Sequence, residues 1–295
     1  MADACNGERL ARFRAWLEEN GAELAKLELR ASAHGNGVFA RTEIGEGDEY
    51  ARIPKRLVVT DDVCCSTLAD VALTGRALLC TFLVHQRFVA CEDSFWKPYL
   101  DILPDDISTP LCFTAAELGP LKGTPMEHAV ADRRAVLEAE HRDAQRAAAA
   151  VVPEAEFGFD RYLWAANVVS SRGFGQAMGG TNVLLPLLDM MNHRPLTRVT
   201  WVVGDDSVAF AAGATLAEGD EVLNNYGAKS NEELLLGYGF CAAGNPLNCY
   251  HIRLNYSQDP QAVAKQALLD RAGAADRDHY IRSSGLPRNL LPMLR

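Results

Sequence analysis

The eight cysteines, at positions 5, 64, 65, 80, 91, 112, 241 and 249, include no C-x-x-C pair. That argues against a disulfide framework or a zinc site, and suits a reducing compartment. A run of about eighteen apolar residues is also missing, so no bilayer-spanning helix is expected. The N-terminus lacks a hydrophobic stretch of signal-peptide length, and Asp3 and Glu8 are wrong for an organelle transit peptide. Basic charge is in deficit. A net charge of −10 and a pI near 5.2 argue against a nucleic-acid binder, whose affinity rests on Lys and Arg facing phosphate. A basic peptide or protein partner suits that field better. No internal repeat of fixed period is found. The expectation is a cytoplasmic or nuclear protein with no membrane and no nucleic-acid partner; an organelle enters only if a transit peptide has been removed.

What is present is ordinary globular material. The chain has 295 residues, 48% hydrophobic and 23% charged, enough for one large or two modest domains with a substantial core. Leu10, Phe13, Trp16 and Leu17 recur at helical spacing and stop before Asn20-Gly21, predicting a packing helix. Short strands are expected at 27–30, 37–41, 49–53 and 57–59, broken by glycine-rich turns at 34–37 and 45–48. The next hundred residues read as helical, with an apolar face over 71–89 and an aromatic cluster at 94–99. A long, mostly exposed helix follows over 129–151, carrying Glu138 and Arg142 at i, i+4, and another helix over 159–170.

The second half returns to strands, at 199–203 and 208–211. Ser230 and Glu233 form a capping box before Leu234. A last strand at 251–254 and a helical tail at 260–272 follow. Two stretches look functional. The apolar run 183–188 delivers Asp189, Asn192 and His193 at its end, and an Asn-Asn-Tyr-Gly turn spans 224–227. Asp189 and His193 lie four apart, but without a third ligand no metal is expected. Strands, a helical insert, then strands again imply a β core joined by non-local pairing, with the insert as a lobe.

Six motifs in order carry a resemblance: Gly35-Asn36-Gly37-Val38, Ser94-Phe95-Trp96, Ser171-Arg172-Gly173-Phe174, Asp189-Met190-Met191-Asn192-His193, Asn225-Tyr226-Gly227 and Lys229-Ser230-Asn231-Glu232-Glu233. Together they resemble the SET-domain methyltransferases, in the branch containing the plant Rubisco large-subunit lysine methyltransferase and the actin-histidine methyltransferase. The resemblance implies an α+β fold: a SET β core of short strands with a threaded segment, a large helical insert and a truncated helical C-terminal region. The implied division is an N-terminal helix at 1–25, the first part of the core at 26–60, the insert at 61–160, the remainder of the core with the active site at 161–247, and the start of a helical substrate-binding domain at 248–295.

The same resemblance implies an activity: S-adenosylmethionine-dependent methylation of lysine on a non-histone protein. Gly35, Asn36, Gly37 and Val38 would lie against the cofactor, because glycine permits close backbone approach. Arg172 would hold its carboxylate with a guanidinium fork, and Asp189, Asn192, His193 and Tyr226 would complete the cofactor site. Tyr226 is the catalytic candidate, orienting an amine that must be neutral to attack. Phe174, Tyr238 and Phe240 would wall the substrate channel. Phe174 favours lysine, since the actin-histidine enzyme has an asparagine there.

Taken without the resemblance, the glycine turn reads as a hairpin, Arg172 as a helix-end ion-pair residue, and Tyr226, Tyr238 and Phe240 as core aromatics. Relatives often carry an acidic residue where this chain has His34. Cys241 and Cys249 cannot build the zinc segment that closes the channel in many chromatin enzymes. Two other readings stand beside the first: a histidine methyltransferase, and an inactive SET-fold binding module.

Overall fold

The structure, a computed structural model, describes residues 2–178, 181–254, 258–273, 278–288 and 290–291. In chain order the helices and strands are α1 (Ala2–Glu19), β1 (Leu27–Ser32), β2 (Gly35–Ala40), β3 (Glu49–Pro54), α2 (Asp61–Thr67), α3 (Gly75–Val84), α4 (Lys97–Leu100), α5 (Ala115–Leu118), α6 (Pro125–Ala147), α7 (Phe159–Arg172), β4 (Gly173–Met178), β5 (Thr181–Leu184), β6 (Val199–Val203), β7 (Ser207–Ala212), α8 (Asn231–Tyr238), β8 (Cys249–Arg253), α9 (Ala262–Arg271) and β9 (Asp278–Arg282). They form two compact units, Met1–Ser108 with Arg133–Gly227, and Thr109–Asp132 with Ala228–Arg295.

In the first unit the apolar stripe of α1 is buried, with Phe13 and Leu17 fully so. It packs on the aromatic cluster: Trp16 meets Phe95 and Trp96, and Phe13 meets Tyr99 at 6.1 Å. Trp96 and Tyr99 of the cluster are therefore core, while Phe95 stays half exposed. β1 and β2 form an antiparallel hairpin, and β3, β7 and β6 form a sheet in that order. In β7, Val208, Phe210 and Ala212 are buried in alternation, the period-two signature of a strand with one covered face. Strand β3 pairs with β7 from the far side of the helical insert, so the two β segments join non-locally as expected.

Two local features aim the chain at the site. A Cβ on Gly173 would lie 2.5 Å from the carbonyl oxygen of Val169, so only glycine lets the chain leave α7 directly into β4. Within the buried run, Leu187 has a φ of +83°, which is left-handed and strained for a bulky residue. The backbone turns sharply there, and the short 3₁₀ turn Leu188–Met190 follows.

Helices α3, α6 and α7 are tied by a polar cluster. The Arg76 guanidinium forks onto Glu140 through Nε to Oε1 at 3.0 Å and Nη2 to Oε2 at 2.7 Å, and the Tyr162 hydroxyl donates to Oε1 at 2.7 Å.

Several expectations needed adjustment. The strand at 57–59 is instead a 3₁₀ turn, Lys55–Leu57, after which Val59 alone bridges Leu184. The helix over 71–89 shortens to α3 and continues as a π-helical stretch, His85–Ala90. Glu138 pairs with Arg134 rather than Arg142, at 3.1 Å.

The second unit holds α5, the first turns of α6, α8, α9 and the antiparallel ribbon β8–β9. Ser230 and Glu233 make the expected capping box, and Gly239 ends α8 in the left-handed conformation at φ 82°. The expected strand and helix at 251–254 and 260–272 are present as β8 and α9; β9 was not foreseen. Among the described residues no helix is long and apolar enough to cross a membrane.

Candidate active site

The β1–β2 hairpin places Ser32 opposite Gly35. Gly35 has φ +102° and open space where a side chain would project. Gly37 is sterically required, since a Cβ there would stand 2.8 Å from the Glu221 Oε1 and 3.1 Å from the Phe39 ring. The Asn192 side-chain amide lies over this turn and donates to Glu221 Oε1 at 2.7 Å, Ser32 Oγ at 3.0 Å and the Asn36 carbonyl at 3.4 Å. One amide thus ties three distant segments together. The Asn36 side chain points the other way and accepts from Asn6 at 2.9 Å. Val38 is fully buried, and its carbonyl accepts from the Val222 amide at 2.8 Å. His34 is exposed at the hairpin tip.

Arg172 ends α7 and donates through Nη1 to the Asp189 carbonyl at 2.7 Å. The same nitrogen stands 3.9 Å from Asp189 Oδ2, and Nε and Nη2 have no hydrogen-bond partner among the described residues. The Asp189 carboxyl is wholly buried; Oδ2 accepts from the Tyr99 hydroxyl at 2.5 Å, and Oδ1 is unpartnered. Burial pushes this carboxyl up to about 6, against the opposing pull of Arg172 and of the Tyr99 hydrogen bond. Burial and the neighbouring carboxylate likewise raise the Tyr99 phenol well above its ordinary range, so it is a donor at neutral pH.

Beyond Asp189 the chain pairs in parallel with the Asn-Asn-Tyr-Gly turn. The bridge joins His193 and Asn224, with the Asn224 amide donating to the Asn192 carbonyl at 2.8 Å and the Arg194 amide to the Asn224 carbonyl at 3.0 Å. This side-by-side passage of two segments is the contact expected of the threaded segment. The Tyr226 amide donates to His193 Nδ1 at 3.1 Å, and the two rings stack at 4.9 Å. Burial lowers the His193 pKa, which keeps the imidazole neutral with Nδ1 as acceptor. The Tyr226 hydroxyl donates to the Met191 carbonyl at 2.8 Å, so ring and hydroxyl are both fixed.

Phe174 sits on β4, two residues after Arg172, with its ring 6.3 Å from Trp201 of β6. Trp201 stacks on Phe210 at 5.9 Å, and Phe210 meets Tyr50 at 6.5 Å, so the row continues as an aromatic wall. Tyr238 and Phe240 belong to the second unit, where their rings meet edge-on at 6.3 Å and burial raises the Tyr238 phenol. A separate cleft of about 360 Å³ is lined by Glu46, Tyr50, Arg194, Leu196, Val199 and Leu223, and by none of the expected cofactor or channel residues.

The first unit therefore gathers Gly35, Asn36, Gly37, Arg172, Asp189, Asn192, His193 and Tyr226 around linked hydrogen bonds. Sequence reasoning missed Ser32, Glu221, Tyr99 and Trp201. Glu221 had one visible sign, its place in the Glu-Gly-Asp-Glu turn, and Tyr99 had the aromatic cluster. Arg172 fits a ligand carboxylate, because a part-exposed guanidinium with unused N–H donors is the group such a ligand takes.

Comparison with known proteins agrees with this geometry. The family described as SET domain matches residues 35–227. The ribosomal lysine N-methyltransferase set10 of Schizosaccharomyces pombe is 34% identical over 273 residues, covering 85% of this chain and 49% of its own length. The chloroplastic fructose-bisphosphate aldolase-lysine N-methyltransferase of Arabidopsis thaliana is 26% identical, covering 98% of this chain and 64% of its own. The actin-histidine N-methyltransferase of Mus musculus is also 26% identical, over 88% of this chain and 47% of its own. This chain thus spans about half to two-thirds of the length of the curated relatives it matches. Among solved structures, the SET domain of LSMT bound to lysine and AdoHcy superposes with a TM-score of 0.83 at 24% identity, covering 98% of this chain and 70% of that one. The expected α+β SET fold is borne out.

Proposed function

The chain belongs to the SET-domain family, and from that premise we propose that it is an S-adenosylmethionine-dependent protein lysine N-methyltransferase acting on a non-histone protein. The observation that carries the proposal is Arg172: it is fixed through one donor to the Asp189 main-chain carbonyl, and among the described residues its Nε and Nη2 have no hydrogen-bond partner. S-adenosylmethionine, bound there, supplies an electrophilic methyl group on a sulfonium.

The chain's residues supply the rest. Arg172 binds the carboxylate, and the Asn192 amide holds the Gly35–Gly37 turn in the shape that meets the ligand. Neutral His193 anchors the Tyr226 backbone. Tyr226, held between His193 and the Met191 carbonyl, orients the incoming amine, and alignment of this kind accounts for much of a displacement rate. The amine must arrive without its proton, which an apolar channel favours by disfavouring the ammonium.

The choice of lysine rests on Phe174 and Trp201. Their rings offer an apolar wall for an aliphatic stem, and Phe174 has no hydrogen-bonding group for an imidazole. Two of the relatives above are named as lysine enzymes, one as a histidine enzyme. Tyr238 and Phe240 are proposed as further channel aromatics, and the region 248–295 as the start of a substrate-holding domain. The acidic balance suits a basic partner surface, and the eight free thiols suit the cytoplasm or nucleus.

The test is transfer of a labelled methyl group to proteins of a cell extract, with mass spectrometry of the modified residue. Methyl on a lysine Nζ is expected. Methyl on an imidazole nitrogen would replace this reading with the histidine enzyme, and calorimetry showing no cofactor binding would replace it with the inactive module.

A further inference from the structure

Asn225, the residue before Tyr226, is exposed, so no core volume calls for its side chain. Its amide is nonetheless spent at both ends: Oδ1 accepts from the Gly227 amide at 3.0 Å, and Nδ2 donates to the Thr197 carbonyl at 3.2 Å. We propose that Asn225 is a positioning residue for Tyr226. Its amide closes the turn around that tyrosine and ties it to the loop after His193, and so sets the direction from which the phenol hydroxyl meets the substrate amine. This role rests on the methyl-transfer reading above.

The first bond is an Asx turn, in which an asparagine oxygen takes the N–H two residues on and holds the residue between them. That residue is Tyr226, and the donating Gly227 has a φ of +96°, which a side chain would strain. The second bond reaches across the crossing of the two segments. Thr197 belongs to a short loop closed by its own amide onto the Arg194 carbonyl at 3.3 Å and by Arg194 Nε onto Thr197 Oγ1 at 3.3 Å. The loop begins after His193, whose Nδ1 accepts from the Tyr226 amide at 3.1 Å. His193 and Tyr226 are thus joined by two routes, one direct and one through residues 194–197 and the Asn225 amide. Asn224 is held by its parallel pairing with His193, and past it these bonds are what stop the Tyr226 backbone from rotating. The Met191 carbonyl holds the far end of the ring, at the hydroxyl, while the Asn225 amide holds the near end. A backbone rotation there becomes a displacement at the reacting atoms, where about 1 Å of misplacement costs roughly a hundredfold in rate.

The experiment measures labelled-methyl transfer to the proteins of one cell extract at saturating S-adenosylmethionine, using the intact parent chain, Asn225→Asp, Asn225→Ala, Tyr226→Phe and Asn225→Ala/Tyr226→Phe. Cofactor affinity is read by calorimetry on the same samples. Asn225→Ala should lower the rate about tenfold, as for the loss of one or two hydrogen bonds, and change S-adenosylmethionine affinity by less than about twofold, since its bonds go to the turn and the loop. Asn225→Asp keeps the acceptor for Gly227 and loses the donor to Thr197, so its rate should fall between those of the parent and Asn225→Ala. In the Tyr226→Phe background the Asn225→Ala change should cost less than about twofold, because the hydroxyl that it positions is already gone. An equal loss in both backgrounds would mean that Asn225 acts through general stability, and the proposal fails. It fails too if Asn225→Ala transfers at the parent rate, or loses cofactor affinity in step with rate. A parent chain that binds S-adenosylmethionine and transfers no methyl group overturns the methyl-transfer reading itself, and this role with it.

Discussion

Two polar clusters in the first unit use an arginine, a carboxylate and a tyrosine to different ends. Among Arg76, Glu140 and Tyr162 both carboxylate oxygens are occupied: the fork is closed and the hydroxyl is spent on the same carboxylate. At the site, Arg172, Asp189 and Tyr99 stop short of that, and among the described residues one carboxylate oxygen and two guanidinium nitrogens have no partner. A carboxylate with both oxygens occupied specifies how helices pack. An unsaturated one carries a cost in the empty protein that binding can recover.

The sharpest break in that comparison is Tyr226→Phe. Loss of the hydroxyl that fixes and orients the reacting geometry should lower methyl transfer by about a hundredfold or more, with thermal unfolding nearly unchanged; undiminished transfer in this variant would remove Tyr226 from the chemistry. Next is the pair Arg172→Met and Arg76→Met. The first should weaken cofactor binding by roughly 2 kcal/mol, as for other charge-assisted pairs, with little loss of stability. The second should do the reverse and cost about 1–2 kcal/mol of folding stability, less than a fully buried pair because both partners are about a fifth exposed. Calorimetry and urea unfolding on the same samples decide it. If Arg76→Met costs affinity as much as stability, the two clusters are not separate in function.

Asn192→Ala comes third. It leaves Glu221, Ser32 and the Asn36 carbonyl without their shared donor, and should cost about 1–2 kcal/mol of stability with a several-fold loss of cofactor affinity. The last variant, Asp189→Asn, is read through the pH dependence of stability. The folded carboxyl sits at about 6 against an ordinary 3.8, so the native state holds the proton more tightly than the unfolded chain. Stability is therefore lost as pH rises through that interval. The asparagine variant escapes this loss: its advantage over the parent should be absent near pH 3.8, grow up to about 6 and stay flat above, as read from melting temperature against pH. A gain that instead grows on acidification would contradict the raised pKa.

Much of this was legible from the sequence, where local chemistry decides structure. Ser230 and Glu233 announce a helix start by themselves, and β6 falls on the expected 199–203 because its β-branched and aromatic run has few alternatives. Arg172, Asn192, His193 and Tyr226 were found through motifs. Strand β4 was not anticipated: Gly-Phe-Gly-Gln carries no alternation, and only its pairing with β5 makes it a strand. Residues 57–59 have strand composition, but a single bridge partner. Tyr99 and Asp189 meet across ninety positions, and Asn192 and Ser32 across 160, separations that no local pattern encodes.

Those separations also set an order of events during folding. The helices α3, α6 and α7 are local and should form early, whereas the parallel pairing of His193 with Asn224 and the reach of Asn192 to Ser32 require loop closures over 31 and 160 residues. Helical signal on refolding should therefore rise ahead of any capacity to bind cofactor. The expected consequence is a refolding stage that is largely helical and does not yet bind cofactor, before the Asn192 amide reaches Ser32.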